Sequence, residues 1–211
     1  PGWPGAVVDL LKQEARAQSF FEVSHRETVA GLLEALHEAG LNPVVMKGTA
    51  FAYSLYPEPA LRRRGDTDIL LADTDRSVAR RILRETGFVP AGEKRPLQED
   101  WQSHSRMGLT HIVDIHLRIN ASAFISQAIE RSDRQTETVA LQTLSRNARG
   151  IDPVLNLLLT CLNRTLHRKH GYWADDEKRF DGDRLIWAVD THLVAQSIDQ
   201  AGWSRLVEIG R

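Results

Sequence analysis

Three aspartates on two predicted strands are the residues of this sequence best suited to chemistry. Asp66 and Asp68 lie two positions apart in the run 66–71, so a strand would point both side chains to one face. Asp114 lies in a later run where apolar and polar residues alternate, and it occupies the polar face. If the two strands are neighbours, the three carboxylates converge. Because they repel one another, they are stable together chiefly when cations bridge them, and the pattern predicts a site for two Mg²⁺ (or Mn²⁺) ions.

A turn between a predicted strand and a predicted helix is the second candidate element. It contains Lys47, Gly48 and Thr49, and a glycine at such a turn lets backbone amides approach a phosphate group at the helix N-terminus. Thr49 is expected to cap the helix and to offer a hydroxyl group, and Lys47 to supply a positive charge. Arg64, from the basic loop that follows, is expected to contact the same phosphates.

Hydrophobic periodicity predicts an α+β chain with two regions. Residues 1–121 are expected to form a core with N-terminal helices, in which Gly40 ends a helical pattern, and residues 122–211 a helical region. Asp152 is expected to begin a helix, because it can cap the helix and the proline that follows is favoured at the first helical position. The predicted strands are 43–46, 66–71, 101–106, 110–119 and a short piece near 138–141, and a further helix is predicted around 184–198.

The composition is that of a globular protein without a strong charge bias. Lys+Arg 27 and Asp+Glu 28 nearly cancel, so no overall basic field indicates a nucleic-acid partner. Cys161 is the single cysteine, which excludes a disulfide framework and a multi-cysteine zinc site. We expect a cytoplasmic protein with no membrane span, because no run is long and apolar enough and no signal sequence is apparent. Since the chain begins with Pro1, we also expect it to be a piece of a longer protein.

Two other groups of residues are expected to be structural. His167, Arg168, Lys169 and His170 lie at a predicted helix end, where positive side chains interact favourably with the helix dipole. The five tryptophans lack interleaved basic residues and are expected to pack rather than to bind a ligand.

Together the strand, the turn, the helix and the three acids resemble the DNA polymerase β-type nucleotidyltransferase superfamily. Within it, the chain is most similar to the group called uncharacterised nucleotidyltransferases. The turn carries Lys47 and Thr49 around its glycine, where the broad superfamily has Gly-Ser or Gly-Gly. The matching stretches are 46–50, 64–71, 87–88, 113–118 and 184–190, within a resemblance that covers about 32–203.

The resemblance implies a minimal mixed sheet flanked by helices, with a C-terminal helical bundle. It implies an enzyme that transfers a nucleoside monophosphate from a nucleoside triphosphate to a hydroxyl group of a small molecule, a protein or RNA. Asp66, Asp68 and Asp114 would hold two Mg²⁺ (or Mn²⁺) ions, and Asp114 would also act as the general base. His116 either supports this site from beside Asp114 or is a hydrogen-bonded structural residue. The alternative function is a catalytically inactive module of the same fold that binds a nucleotide or a partner.

Overall fold

The computed structural model describes residues 2–92, 95–119, 126, 137–174, 177–180 and 184–210. In these residues the helices are α1 (Gly5–Glu38), α2 (Lys47–Ser54), α3 (Arg76–Glu85), α4 (Pro153–His170), α5 (Leu185–Ser197) and α6 (Gln200–Ile209). The strands are β1 (Val44–Met46), β2 (Asp66–Leu70), β3 (Val89–Ala91), β4 (Gln98–His104), β5 (Thr110–His116), β6 (Thr138–Ala140), β7 (Arg149–Ile151), β8 (Tyr172–Ala174) and β9 (Glu177–Arg179).

Seven of the strands form one mixed sheet in the order β3-β4-β5-β2-β1-β7-β6. β2 pairs in parallel with β5 and antiparallel with β1, so the strand that carries the first two aspartates lies between these neighbours. β4 pairs antiparallel with β5, and β8 and β9 form a separate two-stranded sheet. The mixed sheet and the helices confirm the predicted α+β class.

The C-terminal half of α1 buries an apolar stripe. Val29, Leu32, Leu33 and Leu36 recur at helical spacing, and none of them is more than 1% exposed. Burying each side chain of this size contributes about 1.5–3 kcal/mol to folding. Gly40 follows with a φ of +81°, a left-handed conformation that ends the helix as predicted.

The chain divides into two compact units. The first contains Pro1–Ile119 and Ala140–Gly150, and the second contains Asn120–Val139 and Ile151–Arg211. The segment Ala140–Gly150, which the predicted boundary assigned to the C-terminal region, therefore belongs to the first unit.

The second unit contains the predicted C-terminal helices. Asp152 caps α4 as expected, because its carboxylate accepts hydrogen bonds from the amides of Val154 at 2.9 Å and Leu155 at 3.3 Å. Arg205 of α6 donates to the same carboxylate at 3.1 Å, so this cap also joins two helices. In the described part of the chain, every helix is too short or too polar to cross a membrane.

Candidate active site

The register of neighbouring strands gathers acidic side chains on one face of the sheet. Asp68 of β2 lies directly beside Asp114 of the parallel strand β5, and Asp100 of β4 lies opposite Asp114 on the other side. Asp66 shares the face of Asp68 because side chains alternate along a strand, whereas Thr67 between them is fully buried on the opposite face. The structure therefore brings Asp66, Asp68 and Asp114, hereafter the acid cluster, to one face of adjacent strands.

Within the acid cluster, Asp68 is held by two hydrogen-bond donors. Lys47 Nζ lies 2.5 Å from Asp68 Oδ1, and His116 Nε2 lies 2.8 Å from the same oxygen. Burial alone would raise the pKa of Asp68, but the Lys47 charge and the His116 hydrogen bond hold it well below its usual range. Burial likewise opposes the charge of Lys47, yet the neighbouring carboxylates raise its pKa overall. Asp68 and Lys47 therefore form an ion pair at neutral pH.

The other two acids have the opposite shift. Burial, together with repulsion from Asp66 and Asp68, raises the pKa of Asp114 to about 8. Loss of hydration and repulsion from Asp68 raise the pKa of Asp66 to about 6. The Asp66 residue stays exposed to solvent, so the charge of the neighbouring Asp68 is the main influence on its carboxyl group. Gln98 Nε2 donates to Asp114 Oδ2 at 3.0 Å, which orients this carboxyl group without neutralising it.

This donor set fits a divalent cation. Among the described residues, Asp68, Asp114 and His116 each offer one ligand atom, and these atoms all lie within 4.8 Å of one another. Burial and the charges of the neighbouring carboxylates raise the pKa values of Asp66 and Asp114, and a cation at the acid cluster would offset those charges. Carboxylate oxygens are the ligands that Mg²⁺ and Mn²⁺ prefer. His116 was expected beside Asp114, and the structure adds that its hydrogen bond is to Asp68.

The turn after β1 differs from its predicted form. α2 begins at Lys47, and no side chain caps it. Lys47, rather than the neighbouring Gly48, adopts a left-handed conformation with a φ of +50°, which residues other than glycine seldom adopt and which costs on the order of 1 kcal/mol. The predicted cap by Thr49 is wrong, because the Thr49 hydroxyl group donates instead to the Asp66 carbonyl oxygen at 3.4 Å.

Gly48 makes room for an arginine side chain. A Cβ atom at this position would lie 3.0 Å from Arg62 Nη1 and 3.1 Å from Arg62 Cζ, so the guanidinium group of Arg62 lies against the Gly48 backbone. The positive charge of Arg62 also opposes the rise in the pKa of Asp66. Arg62 is thus the arginine that lies between the turn and the acid cluster.

Arg64 lies elsewhere, inside the protein. Its side chain is 1% exposed, and its Nη2 atom lies 2.7 Å from Glu22 Oε2 and 3.0 Å from His25 Nδ1. This placement does not support the predicted phosphate contact of Arg64. The guanidinium group instead fixes the loop before β2 to α1.

Arg64 begins a chain of hydrogen bonds that passes through His25 and Thr67 to Thr49. The direction of each bond in this chain is fixed, because a guanidinium group can only donate. His25 Nδ1 must accept, so the neutral ring carries its proton on Nε2 and donates to Thr67 Oγ1 at 2.8 Å. Because Thr49 donates to the Asp66 carbonyl oxygen, Thr67 donates to Thr49 Oγ1 at 3.1 Å. Burial and the Arg64 charge hold the pKa of His25 well below its usual range, in agreement with a neutral ring. This chain of hydrogen bonds connects α1 to the backbone of Asp66.

The sequence matches the family described as uncharacterised nucleotidyltransferase over residues 2–211. The chain belongs to this family. The resemblance stated from the motifs is thereby confirmed, and no curated protein matches the sequence.

Solved nucleotidyltransferase structures share the fold of this family member. The crystal structure of ANT(2″)-Ia in complex with adenylyl-2″-tobramycin superposes with a TM-score of 0.58 at 13% identity, covering 88% of this chain and 96% of that one. The solution structure of the same antibiotic-resistance factor superposes with a TM-score of 0.57 at 13% identity, covering 87% of this chain and 89% of that one. An antigenic nucleotidyltransferase-like protein from Paracoccidioides brasiliensis gives 0.53 at 14% identity, covering 88% and 87%. At these identities the likeness shows the fold alone.

Two residues of this candidate site, Gln98 and Asp100, were absent from the prediction. Gln98 and Asp100 belong to β4, which begins three residues before the predicted strand. Trp101 is the only apolar residue in the run 98–104, so no alternation of apolar and polar residues could have indicated that extension. Arg62 lies in a run of three adjacent arginines, and no local pattern distinguishes it from Arg64, which pairs with Glu22.

Proposed function

We propose that this family member transfers a nucleoside monophosphate from a nucleoside triphosphate to a hydroxyl acceptor, with two divalent cations at the acid cluster. The observation that carries the proposal is the pairing of Asp68 with Asp114 on adjacent strands, where the pKa of Asp114 is raised to about 8. A module that only bound a partner would gain nothing from keeping repelling acids on one face.

The acids have distinct roles in this proposal. Asp66 and Asp68 would hold the ion that accompanies the triphosphate, and Asp68 and Asp114 the ion on the acceptor side, with His116 beside them. When bound, Mg²⁺ or Mn²⁺ would lower the pKa of the acceptor hydroxyl group and stabilise the charge of the leaving pyrophosphate. Asp114 would accept the proton of the acceptor hydroxyl group. The acceptor oxygen forms a bond to the α-phosphorus, the bond between this phosphorus and the bridging oxygen of the β-phosphate breaks, and pyrophosphate leaves.

The turn would bind the phosphates. The amides of Gly48 and Thr49 begin α2, and Lys47 and Arg62 bring two positive charges to the same side of the acid cluster. The Thr49 hydroxyl group is engaged with Thr67 and the Asp66 carbonyl group, so Thr49 would contribute its amide rather than its side chain.

The acceptor class stays open in this proposal. The complex of ANT(2″)-Ia contains adenylyl-2″-tobramycin, in which a nucleotide is joined to an aminoglycoside. A hydroxyl group of a small molecule is therefore one acceptor to test here, beside RNA and protein hydroxyl groups.

Pyrophosphate release tests the proposal. The purified protein would be incubated with each of the four nucleoside triphosphates and Mg²⁺, with and without a small-molecule extract, an RNA fraction and a protein fraction. Asp114→Asn should lower turnover at least about a hundredfold, because it removes both the ligand charge and the base. Asp9→Asn, an exposed aspartate of α1, serves as the matched control and should leave turnover unchanged. Nucleotide binding without pyrophosphate release under any of these conditions would favour the inactive module instead.

A further inference from the structure

A network of buried polar side chains reaches β2 from the face opposite the acid cluster. Thr67, which lies between the two aspartates of this strand, is its central member and is fully buried. His25 of α1 donates to Thr67 Oγ1 at 2.8 Å, and Arg64 donates to His25 Nδ1 at 3.0 Å. Thr67 in turn donates to Thr49 Oγ1 at 3.1 Å. We call these four residues the buried network.

The buried network joins β2 to α2 at a point where the sheet does not. The register pairs Asp68 with the last residue of β1, and the chain then turns directly into α2. Asp66 and Thr67 therefore lie beyond the end of β1, and among the described strands they pair with β5 alone. On the other side, the Thr49 hydroxyl group contacts Thr67 Oγ1 and the Asp66 carbonyl oxygen. These side-chain contacts take the place of strand pairing at the start of β2.

His25 determines the direction in which the Thr67 hydroxyl group donates. A hydroxyl group has one proton, which it gives to one partner. Because His25 Nε2 donates to Thr67 Oγ1, this oxygen accepts on the α1 side and its own proton is directed to Thr49. Arg64 fixes the state of the ring, since it donates to Nδ1 and leaves the ring proton on Nε2. The ring thus holds Thr67 from α1 and directs its hydroxyl group to α2.

We propose that His25 is a positioning residue, which acts through Thr67 to fix the start of β2 against α2 and so holds Asp66 beside Asp68 and Asp114. Asp66 depends on this support most, because it is the first residue of its strand and is exposed to solvent. A fully satisfied polar network restricts a buried segment to one arrangement more strictly than apolar packing does. The effect on cation binding rests on the function proposed above, whereas the connection between α1, β2 and α2 does not.

Two measurements test this role. The first is amide hydrogen exchange of residues 47–49 and 66–68 in EDTA, relative to the core of β5. The second is the affinity for Mn²⁺ without nucleotide, followed by the electron paramagnetic resonance of the free ion. The variants are His25→Leu, His25→Gln and Thr67→Val, the last of which removes the hydroxyl group and keeps the branched shape. The control is Leu36→Ala, which truncates a fully buried apolar side chain of the same helix.

We expect His25→Leu and Thr67→Val each to speed exchange in both segments and to weaken Mn²⁺ binding about tenfold, as the loss of a group that supports a metal ligand does. His25→Gln should restore part of both, because its amide group can donate to Thr67. The double variant His25→Leu with Thr67→Val should bind Mn²⁺ no more weakly than either single variant, since both changes break the same connection. Leu36→Ala should lower the melting temperature at least as much as His25→Leu and leave the Mn²⁺ affinity unchanged.

The proposal is overturned if Leu36→Ala weakens Mn²⁺ binding as much as His25→Leu, or if the losses of the two single variants add in the double variant. It is also overturned if His25→Leu leaves either the exchange or the affinity unchanged, and Thr67→Val decides the same question if His25→Leu does not fold. A wild-type protein that binds no Mn²⁺ would refute the proposed cation site instead. The exchange measured in EDTA would then decide alone, with faster exchange in both segments supporting the role of His25 and unchanged exchange refuting it.

Discussion

Binding of a divalent cation to the acid cluster is expected to release about one proton at pH 7. The pKa of Asp114 is raised to about 8, so this carboxyl group is about nine-tenths protonated at pH 7 before a cation binds. Asp66, with a pKa raised to about 6, is about one-tenth protonated, and Asp68 is ionised through its contacts with Lys47 and His116. A carboxyl group must be deprotonated to bind a metal ion, so cation binding releases the protons of both Asp114 and Asp66. Their protonated fractions at pH 7 add to about one proton.

Calorimetry measures this number directly. Mn²⁺ is titrated into the protein at pH 7 in buffers of different ionisation enthalpy, and the slope of the observed enthalpy against the buffer enthalpy gives the protons released. The slope should fall to about a tenth at pH 9, where Asp114 is already ionised. At pH 7 it should fall similarly in Asp114→Asn but not in the control Asp9→Asn.

One result would refute this reasoning. If wild-type protein binds Mn²⁺ at pH 7 with an enthalpy that does not depend on the buffer, Asp114 is already a carboxylate there. The repulsion inferred from the strand register would then be relieved by the protein itself. The case for a cation site at the acid cluster would lose its main electrostatic support.

Three further predictions concern the surroundings of the acid cluster. Without metal, the raised pKa of Asp114 contributes stability that is full below about pH 4 and is lost as the pH rises through about 8. Asp114→Asn should therefore melt at a higher temperature than the wild-type protein at pH 9 and at a similar temperature at pH 4. Equal melting temperatures of the two proteins at both pH values would contradict this. Gly48→Ala should displace Arg62 and weaken nucleotide binding about tenfold. The control Gly31→Ala, at a helix position with open space around it, should bind nucleotide as the wild-type protein does. Equal affinities of both variants in calorimetry would contradict a phosphate-binding role of the turn. His25→Leu should lower the free energy of unfolding, measured in urea, by about 1–3 kcal/mol, because it removes the hydrogen bonds of His25 to Thr67 and Arg64. His25→Gln should restore part of this loss. Equal unfolding free energies of the two variants would show that these hydrogen bonds contribute little.

The sequence was sufficient to predict the face on which the acids lie. Alternation with a period of two is a local property, so the shared face of Asp66 and Asp68 and the polar position of Asp114 could be derived from two short runs. The pairing of β2 with β5 is not local, and in the sequence it was only a condition for the three acids to converge. Short strands without alternation, such as β7 around Gly150, gave no signal at all.

The arginines show why the rest of the site could not be predicted. Arg62 and Arg64 are both buried, and they differ in role because Glu22, 42 residues before Arg64, pairs with the latter, whereas Arg62 lies against Gly48. Composition and spacing do not contain such a long-range contact. The same applies to Lys47, whose left-handed backbone would have been assigned to the glycine that follows it.

The acids of the acid cluster differ in charge before any cation binds. Lys47 and His116 both contact one oxygen of Asp68, so this carboxylate is charged and oriented in the free protein. Asp114 receives a neutral donor, Gln98, and burial together with the charges of Asp66 and Asp68 raises its pKa. The fold can therefore keep three acids together without metal, because one is compensated by Lys47 and another is largely protonated at neutral pH. A bound cation would therefore change the protonation of Asp114 more than that of the other acids, and Asp114 is the acid that the proposed reaction needs as a base.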